Sequence, residues 1–256
     1  MIGFIINAIK IIFLLGFLIF IHEGGHFIVA KLCKVKVNEF AIGFGKTIWQ
    51  KQGKETKYAI RLIPLGGFVS MEGETEESNE VGSFSKASIP RRIAIVAAGA
   101  LVNIIFGILV YFILISTVGI SFADASRDTF LNRIYYGSIA TKDFILELGN
   151  SVIQMFTHGI SFEQMTGPVG ISEIVIKTTG IANYIYIMAV ISISLGITNL
   201  LPIPALDGGK IVLLIIEAIR KKPLKIETEA KLQLLGFSLL IALSLYVTYK
   251  DILRIF

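Results

Sequence analysis

Ile11-Ile-Phe-Leu-Leu-Gly-Phe-Leu-Ile-Phe-Ile-His22-Glu23-Gly-Gly-His26-Phe-Ile-Val-Ala30 is an almost unbroken hydrocarbon run that turns polar at three positions near its end. With residues 2–10 before it, the stretch is longer than the roughly 20 apolar residues that a membrane-crossing helix needs. His22 and His26 are four residues apart, so a helix puts both imidazoles on one face, where they can grip one metal ion. Glu23 sits beside them, placed to handle the proton of a water molecule. The stretch lacks a basic leader, Lys10 interrupts it, and no small-residue cleavage site precedes His22, so a retained span is expected rather than a signal peptide.

The rest of the chain agrees with a lipid setting. Of 256 residues 54% are hydrophobic and only 17% charged, against roughly 25% charged in soluble domains. Mainly α-helical architecture with about four transmembrane helices is predicted, over residues 2–30, 93–120, 184–201 and 232–249. The segment 211–219 is too short to span and runs into Arg220-Lys221-Lys222-Pro223. Residues 22–92 hold eleven Lys or Arg and residues 208–231 hold six, whereas residues 117–183 hold four against six acids. The positive-inside rule places the first two segments on the cytoplasmic side and the third outside. Basic residues beside spans also explain the net charge of +5 without a nucleic-acid partner. The single cysteine, Cys33, excludes an internal disulfide framework.

Spans one and three then run in the same direction, and their C-terminal ends reach the same depth. A catalytic zinc commonly takes three protein ligands and leaves a position open for water. At the end of span three the chain reads Asn199-Leu-Leu-Pro202-Ile-Pro204-Ala-Leu-Asp207-Gly208-Gly209, and Asp207 is the best candidate third ligand. His158, the only other histidine, falls in the segment expected outside. Pro202 and Pro204 disfavour helix, so the span should unwind there, which is tolerated at membrane depth only where protein or a watery cavity satisfies the backbone. Gly208 and Gly209 are expected to allow a tight turn that aims Asp207 at the metal. Asn199 could hold a substrate peptide through its amide.

Two β-rich runs, residues 37–49 and 57–69, flank a polar turn containing Gly53 and predict a small hairpin within a loop of residues 37–70 on the cytoplasmic side. An exposed strand edge there can pair with an extended peptide. The acidic stretch 72–80 reads as a solvated loop. In the extracytoplasmic segment 117–166, Phe144, Leu148, Val152, Met155 and Phe156 recur at helical spacing, as in a helix lying on the membrane surface.

Together these motifs resemble the site-2 protease family of intramembrane zinc metalloproteases, especially the bacterial regulators of sigma-factor signalling. Residues 199–209 are similar to its Asn-x-x-Pro-x-Pro-x-x-Asp-Gly signature, and Gly167-Pro-Val-Gly-Ile171 to the segment before its third span. Ala98-Gly99-Ala100-Leu101-Val102-Asn103 resembles the opening of its second span, with Ala100 where proline is usual. Ile63-Pro64-Leu65-Gly66-Gly67-Phe68-Val69 resembles part of its membrane-associated β-loop. The resemblance implies a single metalloprotease domain over residues 1–256, with His22, His26 and Asp207 as zinc ligands and Glu23 as catalytic base. It also implies substrate contacts at Asn199, Gly66 and Gly67. It further implies a multi-pass protein of the bacterial inner membrane, with its active site near the cytoplasmic side. Substrates would be single-span proteins already cut by another protease, such as an anti-sigma factor or a signal-peptide remnant. Many members carry PDZ domains between spans two and three; the fifty residues 117–166 are too few for one together with the helix. A non-catalytic zinc-binding membrane protein or transporter is the alternative, and it has no use for Glu23.

Overall fold

The computed structural model describes residues 2–76, 78–122, 125–159 and 166–255. Helix α1 (Ile2–Leu32) is apolar on every side, as a helix in lipid must be. It leads into strands β1 (Val37–Gln52) and β2 (Lys57–Met71), then helix α2 (Ile89–Leu114), which continues as a π-helical stretch over Ile115–Gly119. Helices α3 (Phe130–His158), α4 (Pro168–Lys177), α5 (Ile181–Asn199), α6 (Asp207–Arg220) and α7 (Ile226–Ile255) follow. Among the described residues, four helices are long and apolar enough to cross a membrane: Ile5–Leu32, Ile89–Gly119, Ile181–Asn199 and Ile226–Arg254. The chain is a multi-pass membrane protein. The third span ends at Asn199, two residues before the sequence-based boundary, because Pro202 cannot continue the helical ladder. The fourth starts earlier than expected, with Glu227 and Glu229 in its first turn, where acids suit a helix N-terminus.

The chain divides into two compact units. One comprises residues up to Ile104 with Ser194–Ile241; the other comprises Ile105–Ile193 with the chain from Ala242 onward. In the first, Ala30, Val37, Phe40, Val69, Phe84, Ile95 and Leu214 belong to one buried cluster joining α1, the sheet, α2 and α6. Small residues let the helices approach: a Cβ on Gly25 would lie 2.7 Å from the Ala98 carbonyl, and one on Gly196 would strike the α2 backbone at Ala100.

The two strands pair antiparallel, and the hairpin does more than close on itself. Gly43 and Gly45 bend β1 at φ +87° and +80°. Residues 39–42 consequently register against residues 57–60 and also against residues 67–70. Residues 67–71 of β2 register on one side only, which leaves an open strand edge. Thr56, buried in the turn region, donates its hydroxyl to the Val37 carbonyl at 2.8 Å.

In the second unit, Gly137 of α3 packs against Ser116, and Phe144 stacks on Tyr111 with ring centroids 4.0 Å apart. Asp251 of α7 is buried and accepts the Gly170 N–H at 2.8 Å, supplying the cap that Gly167 cannot give α4. Of the segment 117–166, expected from its charge to be extracytoplasmic, residues 123–124 and 160–165 lie outside the described residues, as do the side chains of Met155 and Phe156.

Candidate metal centre

His22 and His26 stand on the same face of α1, and α6 brings Asp207 to them. Their candidate ligand atoms all lie within 4.8 Å of one another. Asp207 Oδ2 is 3.3 Å from His22 Nε2 and 3.5 Å from His26 Nε2, and the two imidazole nitrogens are 3.2 Å apart. The donor set of two imidazoles and one carboxylate suits zinc.

Both imidazoles are oriented from behind. His26 Nδ1 donates to the Ile95 carbonyl at 2.8 Å, which leaves its Nε2 as a lone-pair donor toward Asp207. His22 Nδ1 lies 3.5 Å from the side-chain amide of Asn103, a residue only 1% exposed. The amide atom nearest the ring is Nδ2; with the amide flipped, Oδ1 would accept the Nδ1 proton and free His22 Nε2 in the same way. The Asp207 carboxylate lies against both of these Nε2 atoms. Asp207 Oδ2 is nevertheless buried without a hydrogen-bond donor. A carboxylate oxygen facing two nitrogen lone pairs is repelled unless a cation lies between them, so these residues fit a metal ion.

Gly99 explains how α2 can pass so near. A Cβ there would run into the His26 imidazole. The glycines after Asp207 act differently from the sequence-based expectation. Neither has positive φ; the left-handed residue of this turn is Ala205, at φ +75°. A Cβ on Gly208 would strike the Leu200 and Leu201 carbonyls, and one on Gly209 that of Ile203, so both serve close packing of α6 on the broken end of α5. Arg92 at the start of α2 pairs with Glu217 on α6, a partly buried contact that steadies the helix bearing Asp207.

A cavity of about 300 Å³ opens on this cluster, lined by His22, Glu23, His26, Asn199 and Asp207 and by Gly67, Phe68, Val69 and Met71 of the strand edge. A Cβ on Gly67 would lie 2.9 Å from Glu23 Cγ, so the edge backbone passes directly over the glutamate. Gly66 does not line the cavity; its φ of +132° marks a backbone bend against Phe44. Sequence reasoning left Asn103 open between a place in the site and a structural role in span two, although an amide in an apolar span is a usable signal. It passed over Gly99 as a packing site and over Lys210, one turn beyond Asp207 on α6.

Residues 10–243 match peptidase family M50. A Clostridium acetobutylicum protein whose name assigns it to the zinc metalloproteases is 30% identical over 96% of this chain and 97% of its own length. That alignment covers 333 positions against a chain of 256 residues, so the relative carries insertions absent here. The regulator of sigma-W protease RasP of Bacillus subtilis is 24% identical over 99% of this chain and all of its own length. The zinc metalloprotease RasP of Bacillus licheniformis is 25% identical over 98% of this chain and 99% of its own length.

Proposed function

The chain belongs to peptidase family M50 and is a membrane zinc metalloprotease of the site-2 type, and on that premise we propose that it hydrolyses peptide bonds within single-span membrane proteins. Its substrates are segments left in the bilayer after an outside cut, either an anti-sigma factor or a signal-peptide remnant. The name of the sigma-W regulator among its relatives supports the first. The convergence of His22, His26 and an otherwise unsatisfied Asp207 beside Glu23 is the observation that carries this reading.

His22, His26 and Asp207 hold the zinc. When bound, zinc supplies a Lewis acid that polarises the scissile carbonyl and makes water acidic enough to attack near neutral pH. Glu23 takes the proton of the attacking water and passes it to the leaving amine. The open edge at residues 67–71 pairs with the substrate backbone once its helix unwinds, and Gly67 keeps that backbone close to Glu23. Asn199, the last residue of α5, adds an amide contact to the same strand. The basic segments flanking the site orient it toward the cytoplasm in the bacterial inner membrane.

The test is the purified full chain in lipid nanodiscs, with zinc quantified and a single-span substrate supplied. Glu23→Gln should keep parental zinc and lose activity by about 10²–10⁴-fold. A Glu23→Gln variant that binds zinc and cuts at the parental rate overturns the mechanism. A parent that binds zinc and cuts nothing points to the non-catalytic alternative.

A further inference from the structure

We propose that Glu74 and Lys210 form a positioning clasp that fixes the substrate-pairing strand edge to the helix bearing Asp207, and so selects the bond that is cut. This rests on the reading of residues 67–71 as the surface that pairs with substrate. Glu74 lies three residues beyond Met71, the end of that edge. One carboxylate oxygen, Oε2, accepts the Met71 backbone N–H at 3.4 Å, and the other, Oε1, accepts from Lys210 Nζ at 2.5 Å. Lys210 stands one helical turn after Asp207 on α6. A single carboxylate therefore joins the end of the strand to the metal-bearing helix.

The pair is built into the protein. Its side chains are 17% and 21% exposed, whereas the Lys31–Glu55 and Lys36–Glu80 pairs are 31–66% exposed. Phe84, 3% exposed, lies beneath it, with Lys210 Nζ 5.0 Å from the ring centroid. The Phe84 N–H donates to the Glu72 carbonyl at 2.7 Å, which fixes this platform to the segment that carries Glu74. Glu74 and Lys210 both line the cavity that holds Glu23 and Asp207.

The strand edge is thus held at two points. Gly67 rests on Glu23 of α1, and Met71 is tied through Glu74 to α6. A peptide paired along residues 67–71 inherits this placement. Its scissile carbonyl is set against the proton-accepting group from one end and against the metal ligand from the other. Slippage of about 1 Å between strand and helix is enough to lower turnover by on the order of 10²-fold, and slippage by one residue presents a different bond.

Glu74→Gln, Lys210→Met, the double variant and Lys210→Arg are made in the full zinc-loaded chain and assayed on one single-span substrate. Zinc content, kcat and KM separately, and product masses are read. Each single variant should keep its zinc, lose kcat by roughly ten- to a hundredfold, and scatter the cut over neighbouring bonds. The double variant should be no worse than either single one, as expected of two residues acting as one unit. Lys210→Arg should restore the parental cut. Single variants that cut the parental bond at the parental kcat, or losses that multiply in the double variant, overturn the clasp. If the parent cuts and Glu23→Gln does not while the clasp variants behave as the parent, only the clasp fails. If the parent does not cut at all, the protease reading falls with it.

Discussion

Replacing Gly99 with alanine should weaken zinc binding before it weakens the fold. The new methyl group would be built into the space that the His26 imidazole occupies, and the imidazole cannot simply swing aside. Its Nδ1 is tied to the Ile95 carbonyl at 2.8 Å, so displacement of the ring either breaks that bond or moves α1 away from α2. Overpacking of this kind costs about 1–3 kcal/mol, while alanine in place of glycine in a helix returns up to about 1 kcal/mol. Net stability should therefore fall by no more than about 3 kcal/mol. The metal site has less tolerance, since disturbing the group that orients a liganding histidine lowers metal affinity by about 10- to 100-fold. Zinc affinity is measured by chelator competition on the purified chain, beside a thermal unfolding curve. Gly149→Ala on α3 is the control, because nothing lies within 4 Å of a Cβ there. A Gly99→Ala protein with parental zinc affinity and parental turnover would refute the argument that α2 is shaped around His26.

Two further substitutions probe the supports of the site. Asn103→Ala should lower zinc affinity by about 10- to 100-fold with the spans intact, measured by the same competition. An unchanged affinity would return Asn103 to a packing role in α2. Ala205→Gly relieves a side chain held at φ +75°; it should leave zinc content unchanged and raise stability by between zero and about 1 kcal/mol. A clear loss of thermal stability in that variant would show that the Ala205 methyl group is needed as a cavity wall.

What could be read from the sequence was what depends on period, composition and spacing. The four spans follow from uninterrupted apolar stretches, and the pairing of residues 22–26 with Asp207 follows from matching depths set by charge. The structure brings those residues together. Features that depend on which distant backbones touch were not legible. Asn103 meets His22 across 81 positions of sequence, and Lys210 meets Glu74 across 136. No local pattern announces such a meeting. Gly99, Gly208 and Gly209 look alike in sequence, yet the first makes room for an imidazole and the others for carbonyl groups. The hairpin was legible as two strands and a turn. Its double registration was not, because it depends on bends at Gly43 and Gly45 that bring residues 39–42 between two stretches of β2.

The broken end of α5 shows how a charged, water-using site can exist at membrane depth. An interrupted helix exposes amide and carbonyl groups that lipid cannot satisfy, at several kcal/mol for each unsatisfied group. Here the interruption is largely self-satisfied. Leu200 and Leu201 donate to the carbonyls of Gly196 and Thr198, Ile203 to that of Leu201, and Leu206 to that of Ile203. Pro202 and Pro204 have no N–H to satisfy, so prolines suit this gap beyond merely ending a helix. The chain then restarts as α6 with Asp207 as its first residue. That position puts the carboxylate at the positive end of a helix dipole, where negative charge is favoured. The break thus brings Asp207 to His22 and His26 and stabilises its charged form. Refilling the gap with helix, for example by replacing both prolines with alanine, would carry Asp207 out of register with His22 and His26.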